Sequence, residues 1–127
     1  MGKEENASSE EWREIEGYDK YLISNLGRVK SLKHDEGKIL KAFPNNHGYL
    51  RVSLSKNGKS RHFLVSRLVA SAFCENPDPS TRIVVDHIDG NTLNNNASNL
   101  QWLTVSENQK KEWRKYNAIR NTEQQKS

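Results

Sequence analysis

From Trp12 to Val65 the apolar residues of this chain come in short runs, each stopped by residues that turn the backbone, a pattern that builds antiparallel strands. Residues 21–24 (YLIS) lead through Asn25-Leu26-Gly27 into residues 28–32 (RVKSL), which reads as a hairpin. Residues 38–43 (KILKAF) read as a third strand ended by Pro44-Asn45-Asn46. Leu50, Val52 and Leu54 then alternate with Arg51, Ser53 and Ser55, a half-buried strand whose outer face is basic and polar. Asn57-Gly58 is a hairpin turn into residues 61–65. This half predicts one small antiparallel sheet.

The second half changes period. Residues 66–73 (SRLVASAF) space Leu68, Val69 and Phe73 as on a short helix, with Ser66 as its N-cap. A loop with Pro77 and Pro79 precedes an apolar strand at 83–87, an Asn-rich loop at 89–99 and a returning strand at 100–103. A helix from Thr104 to about Tyr116 follows, with Thr104 or Ser106 as N-cap. The whole is α+β: residues 1–10 expected disordered, a β-rich unit at 11–60, a strand–strand–helix unit at 61–116 and a polar, basic tail at 117–127.

Composition excludes several classes. Hydrophobic residues are 33% of the chain, and no apolar run approaches the ~20 residues of a membrane span. Residues 1–11 lack the apolar stretch of a signal peptide. A single cysteine, Cys74, excludes a disulfide framework and a cysteine-built zinc site. These features predict an intracellular protein with no membrane partner. The net charge of +4 is unevenly spread: residues 21–72 carry 10 basic and 2 acidic side chains, residues 73–108 carry 1 and 5, and residues 109–127 carry 6 and 2. Basic blocks flanking an acidic one point to a polyanion partner and a bound cation.

The stretch from Val85 to Asn108 combines both. It sets Asp86-His87 at a strand end, followed by loop, strand and helix, an order that can bring Asp86, His87 and Asn108 round one point. Asp86 and Asn108 offer hard oxygen donors suited to Mg²⁺ or Mn²⁺, too few to hold the ion without water and substrate phosphate. A neutral imidazole at His87 could take a proton from attacking water. Consecutive strand residues face opposite ways, so irregular backbone is expected over Asp86 to Asp89, held by Asn99. The competing reading is a strand-end turn with a solvated acid, and an ordinary exposed helical amide at Asn108.

Asp86-His87, Asp89-Gly90-Asn91, Asn94-Asn95, Asn99-Leu100, Trp102 and Asn108 together resemble the His-Asn-His (HNH) nuclease family, with its ββα-metal finger. Upstream, Glu11-Trp12-Arg13, Gly17-Tyr18 and the run from Ser24 to Val29 look like the modular motif at the N-terminus of phage and intron-encoded homing nucleases. Arg67 to Ala70 with Ala72-Phe73 is typical of the same group, though Ser66 stands where a His is frequent. The resemblance covers about residues 11–111. It implies that His87 is the general base, Asp86 a metal ligand, Asn99 the residue securing the loop, and Asn108 an amide ligand in place of a final histidine. It also implies a divalent metal, Mg²⁺ or Mn²⁺, and hydrolysis of double-stranded DNA, one strand per finger. The acting form would be a monomer or weak dimer in the cytoplasm of a bacterial or phage-infected cell.

Arg28, Lys30, Arg51, Lys59, Arg61 and Arg67 form the expected phosphate-contacting set. Asn91, Asn94 and Asn95 read as loop scaffolding, Asp89 as a turn residue, and His34, His47 and His62 as surface. Trp12, Trp102 and Trp113 read as core residues, with DNA packing a second reading for Trp113. The rival functions are a DNA-binding module that no longer cuts and a structure-selective nuclease.

Overall fold

Small antiparallel sheets organise the first half of the chain, but there are two of them. The computed structural model describes residues 9–33 and 36–126. The expected disorder over 1–10 falls mainly on residues outside this set, as does His34; Glu10 lies inside it and pairs with Arg28. Strands β1 (Trp12–Ile15), β2 (Tyr18–Ser24), β3 (Val29–Ser31) and β4 (Lys38–Ile39) form a four-stranded sheet in that order. Strands β5 (Phe43–Pro44), β6 (Leu50–Lys56) and β7 (Lys59–Leu64) form a second. The single strand expected at 38–43 is therefore divided. Lys38 pairs with Ser31, whereas Phe43 pairs with Arg51, and the intervening residues carry the chain from one sheet to the other.

Helix α1 (Val65–Phe73) continues directly from β7, starting one residue before the expected cap. Leu64 holds the cap position without a side-chain bond, and Ser66 is buried inside the first turn. Packing rather than capping sets this end, since Val65, Val69 and Ala70 are fully buried. Each valine contributes about 1.5–3 kcal/mol by leaving water. They meet Ile15, Tyr21, Ile23 and Val29 of the first sheet, Val52 and Leu54 of the second, and Leu100 beyond, in one core. The site described below is anchored to this common core.

Strand β8 (Val84–His87) pairs antiparallel with β9 (Leu100–Leu103), and a 3-10 turn at Ala97–Asn99 leads into β9. Helix α2 (Val105–Lys126) follows. It runs well past Tyr116, so the expected tail at 117–127 is helical backbone as far as Lys126. Its start is a reciprocal cap. Glu107 N–H donates to Thr104 Oγ1 and Thr104 N–H to Glu107 Oε1, both at 3.0 Å.

Candidate active site

Strand alternation sends Asp86 and His87 to opposite sides of β8. Asp86 lies opposite Gln101 and His87 opposite Leu100, a regular ladder through both residues. The irregular backbone expected from Asp86 onward thus begins only at Ile88, whose N–H donates to Asn99 O at 2.8 Å. Gly90 N–H then closes a turn on His87 O at 2.9 Å, with Gly90 at φ +80°. Both residues nevertheless line one cavity, which runs along β8 from Val84 to His87. This cavity of about 320 Å³ is lined by Asp86, His87 and Asn108, with Tyr49, Lys111 and Lys115 among its other walls.

Asp86 is buried to 7% exposure, and its Oδ2 accepts from Gln101 Nε2 at 2.8 Å and from Lys111 Nζ at 2.6 Å. Lys111 also donates to His87 O at 3.1 Å, which ties α2 to the strand end. His87, 5% exposed, places Nε2 2.8 Å from Asn95 Oδ1. With Asn95 presenting its amide oxygen, Nε2 donates this bond, and in the neutral imidazole Nδ1 is then the nitrogen with a free lone pair. The Tyr49 ring lies against the imidazole, centroids 5.8 Å apart.

Asn99 fastens the loop to itself. Its Oδ1 accepts from Asp89 N–H at 3.0 Å, and its Nδ2 donates to Asp89 Oδ1 at 3.0 Å and Asn94 O at 2.9 Å. Asp89 is a turn residue, accepting also from Asn91 N–H at 2.7 Å. These bonds hold the Asp89 carboxyl below the usual aspartate range, the Asn91 N–H bond contributing most. Asn108 sits in the first turn of α2, its N–H on Thr104 O, so the Thr104–Glu107 cap fixes its place.

Three contributors lie outside the sequence reading. Asn95, read as scaffolding, is the partner of His87. Lys111 pairs with Asp86, and its spacing of three from Asn108 on one helix was a usable signal. Tyr49 arrives from the second sheet through Thr92 Oγ1 donating to Gly48 O at 3.0 Å, a long-range contact with no local signature.

Among the described residues no three His, Cys, Asp or Glu side chains gather as a metal site. The cavity lining instead offers the Asp86 carboxylate and the Asn108 amide, with Glu112 as a second carboxylate on its wall, hard oxygens that fit Mg²⁺ or Mn²⁺. The Lys111 ammonium already rests on Asp86, so this position attracts a cation.

The expected phosphate set does not share one face. Arg51 stands opposite Leu64, on the other side of the second sheet from Arg61, which is opposite Leu54. Lys59 falls on the Arg61 side. Arg28 pairs with Glu10, and Lys30 lies 4.3 Å above the Trp12 ring. Arg67 donates to Ile83 O at 2.9 Å and covers Trp102. Trp12 and Trp102 are half-buried, while Trp113 is 68% exposed and outside the core. His47 and His62 are exposed, as expected.

Residues 77–110 match the HNH endonuclease family, and residues 10–55 match the NUMOD4 motif. The chain belongs to the HNH endonuclease family and carries a NUMOD4 motif ahead of its finger. It is 47% identical over 95 residues to DNA endonuclease I-HmuI of Bacillus phage SP01, covering 74% of this chain and 52% of the relative. An uncharacterized HNH endonuclease of Acanthamoeba polyphaga mimivirus is 46% identical over 79% of this chain and 25% of its own. H-N-H endonuclease F-TflII of Escherichia phage T5 is 35% identical over 75% of this chain and 48% of its own. The fold superposes on a solved structure of the HNH homing endonuclease I-HmuI, one concerned with its DNA binding and cleavage. The TM-score is 0.74 at 42% identity, over 83% of this chain and 59% of that one. The chain thus spans between a quarter and about three-fifths of the relatives it matches.

Proposed function

We propose that the protein is a divalent-metal-dependent endonuclease that hydrolyses double-stranded DNA, cutting one strand per active site. The observation that carries this reading is the His87–Asn95 hydrogen bond, which leaves Nδ1 as the basic nitrogen in a cavity also lined by Asp86 and Asn108. I-HmuI, of the same fold, is described as binding and cleaving DNA.

In this reading His87 Nδ1 takes a proton from the attacking water, while Asn95 holds the tautomer that makes this possible. Asp86 and Asn108 would hold Mg²⁺ or Mn²⁺. A bound ion would polarise the phosphate and stabilise the leaving 3′ oxygen, so the products carry 5′-phosphate and 3′-hydroxyl ends. Asn99 fixes the loop on which His87 and Asn95 depend. Arg51 on one side of the second sheet and Lys59 and Arg61 on the other are assigned to phosphate contacts, with Arg28, Lys30, Arg61 and Arg67 reaching DNA only by leaving their present partners. A single finger acts as a monomer or weak dimer, inside a cell that holds its target.

The test is supercoiled plasmid incubated with the protein in Mg²⁺, Mn²⁺ or EDTA. The wild type should produce open circles with either metal and none in EDTA, whereas His87→Ala should bind DNA and leave the plasmid supercoiled. Equal cutting in EDTA, or full activity of His87→Ala, overturns the mechanism. DNA binding without any cutting identifies the inactive-module alternative, and preference for branched or single-stranded DNA the structure-selective one.

A further inference from the structure

The Lys111 ammonium lies in a cage made only of oxygens. Asp86 Oδ2 is at 2.6 Å, His87 O at 3.1 Å and Ile88 O at 3.5 Å. Hard oxygens around one positive charge are what a divalent ion also seeks. The same carboxylate oxygen already accepts from Gln101, so its lone pairs are largely engaged before any metal arrives. Asp86 is buried, but the Lys111 side chain retains 33% of its exposure, and Lys115 one turn on lines the same cavity. The ammonium therefore has an open route from the acid towards whatever enters.

We propose that Lys111 is an internal counter-cation that keeps the metal position at Asp86 closed in the DNA-free protein and moves to a DNA phosphate when duplex arrives. This rests on the reading of Asp86 as a metal ligand. A divalent ion must come within about 2.1 Å of a carboxylate oxygen. An ammonium on that oxygen would sit close enough for the two positive charges to repel strongly in a site largely shielded from water. Only one of them can hold Asp86 Oδ2, and an ion on Oδ1 would still face the ammonium across the same carboxylate. An incoming phosphodiester supplies a second anion for Lys111, and its oxygens help complete the metal shell. Metal and DNA then bind with mutual reinforcement, since each removes an obstacle to the other.

The experiment titrates Mn²⁺ alone into the full chain without DNA, by calorimetry and by loss of the free-ion electron spin resonance signal. Lys111→Met keeps the apolar stem and removes the charge. It should bind Mn²⁺ on the order of tenfold more tightly than wild type, as loss of one contact-range like charge implies. Lys111→Gln should also gain affinity, and Lys111→Arg should stay as weak as wild type. Adding Asp86→Asn to Lys111→Met should erase the gain. A thermal melt of each variant confirms folding. If both neutral variants bind no more tightly than wild type, while Asp86→Asn still weakens them, the counter-cation is wrong and the ligand survives. If Asp86→Asn leaves the tightened binding of Lys111→Met intact, the metal is held elsewhere and the underlying reading of Asp86 fails.

Discussion

His87 and Asn95 meet side chain to side chain, imidazole Nε2 2.8 Å from the amide oxygen, with both residues buried. Asn95 in turn rests on the turn between β2 and β3. Ala97 N–H donates to Asn25 O at 2.8 Å, and Gly27 packs directly against Asn95. The first sheet therefore supports the histidine through a single amide.

Removing that amide should separate catalysis from binding. In Asn95→Ala the imidazole loses the partner that sets its tautomer and orientation. Cleavage should slow by about 10- to 100-fold, the usual scale for a residue that orients another. DNA affinity, measured by gel shift, should stay within twofold or so, as the phosphate contacts are untouched. A matching loss of affinity would place Asn95 on the DNA instead.

Gly27 holds φ +94°, and a Cβ there would lie 3.0 Å from Asn95 Cβ and 3.2 Å from Asn95 O. Gly27→Ala should cost about 1–2 kcal/mol for the backbone alone, with further loss from the clash. A lowered denaturation midpoint should accompany slower cutting, although residue 27 bears no reactive group. Unchanged stability and rate would show that the turn gives way freely.

Much of this was readable beforehand. The Asp-His pair, the Asn-rich loop and the strand–helix order are local patterns, and so are the hairpin turns at Gly27 and Gly58. The division of residues 38–43 between two sheets was not, because Leu40 and Ala42 pack against the core while their neighbours pair in different directions. Asn95 looked like its neighbours because all five loop asparagines share one chemistry, and only the fold decides which of them meets His87. Trp113 misled for the converse reason: an aromatic residue carries no sign of which helix face will be covered.

Acid should loosen the 89–99 loop. Asp89 has its folded pKa depressed, chiefly by the Asn91 N–H with help from Asn94 and Asn99. A depressed carboxyl stabilises the fold fully above its unfolded value, near ~4, and that contribution disappears as pH falls through the lower folded value. Urea midpoints across a pH series should show Asp89→Asn weaker than wild type at neutral pH and converging with it as the pH falls below the ordinary aspartate range. A constant gap at all pH values would contradict this.

Thr104→Ala removes the hydroxyl that accepts from Glu107 N–H and loosens the first turn of α2 carrying Asn108. It should cost about 1 kcal/mol in chemical denaturation. It should also raise the metal concentration needed for half-maximal cutting, since Asn108 is less firmly placed. Thr104→Ser keeps the oxygen and should restore both.

The central claim is that Asp86 and Asn108 grip one divalent ion beside His87. The most direct measurement is the anomalous scattering of Mn²⁺ in crystals of the protein with an uncleaved DNA duplex. The account predicts a single strong peak within about 2.2 Å of an Asp86 carboxylate oxygen and the Asn108 amide oxygen, touching a DNA phosphate. A peak held by other side chains, with Asp86 still bound to Lys111 in the presence of metal and DNA, would contradict it.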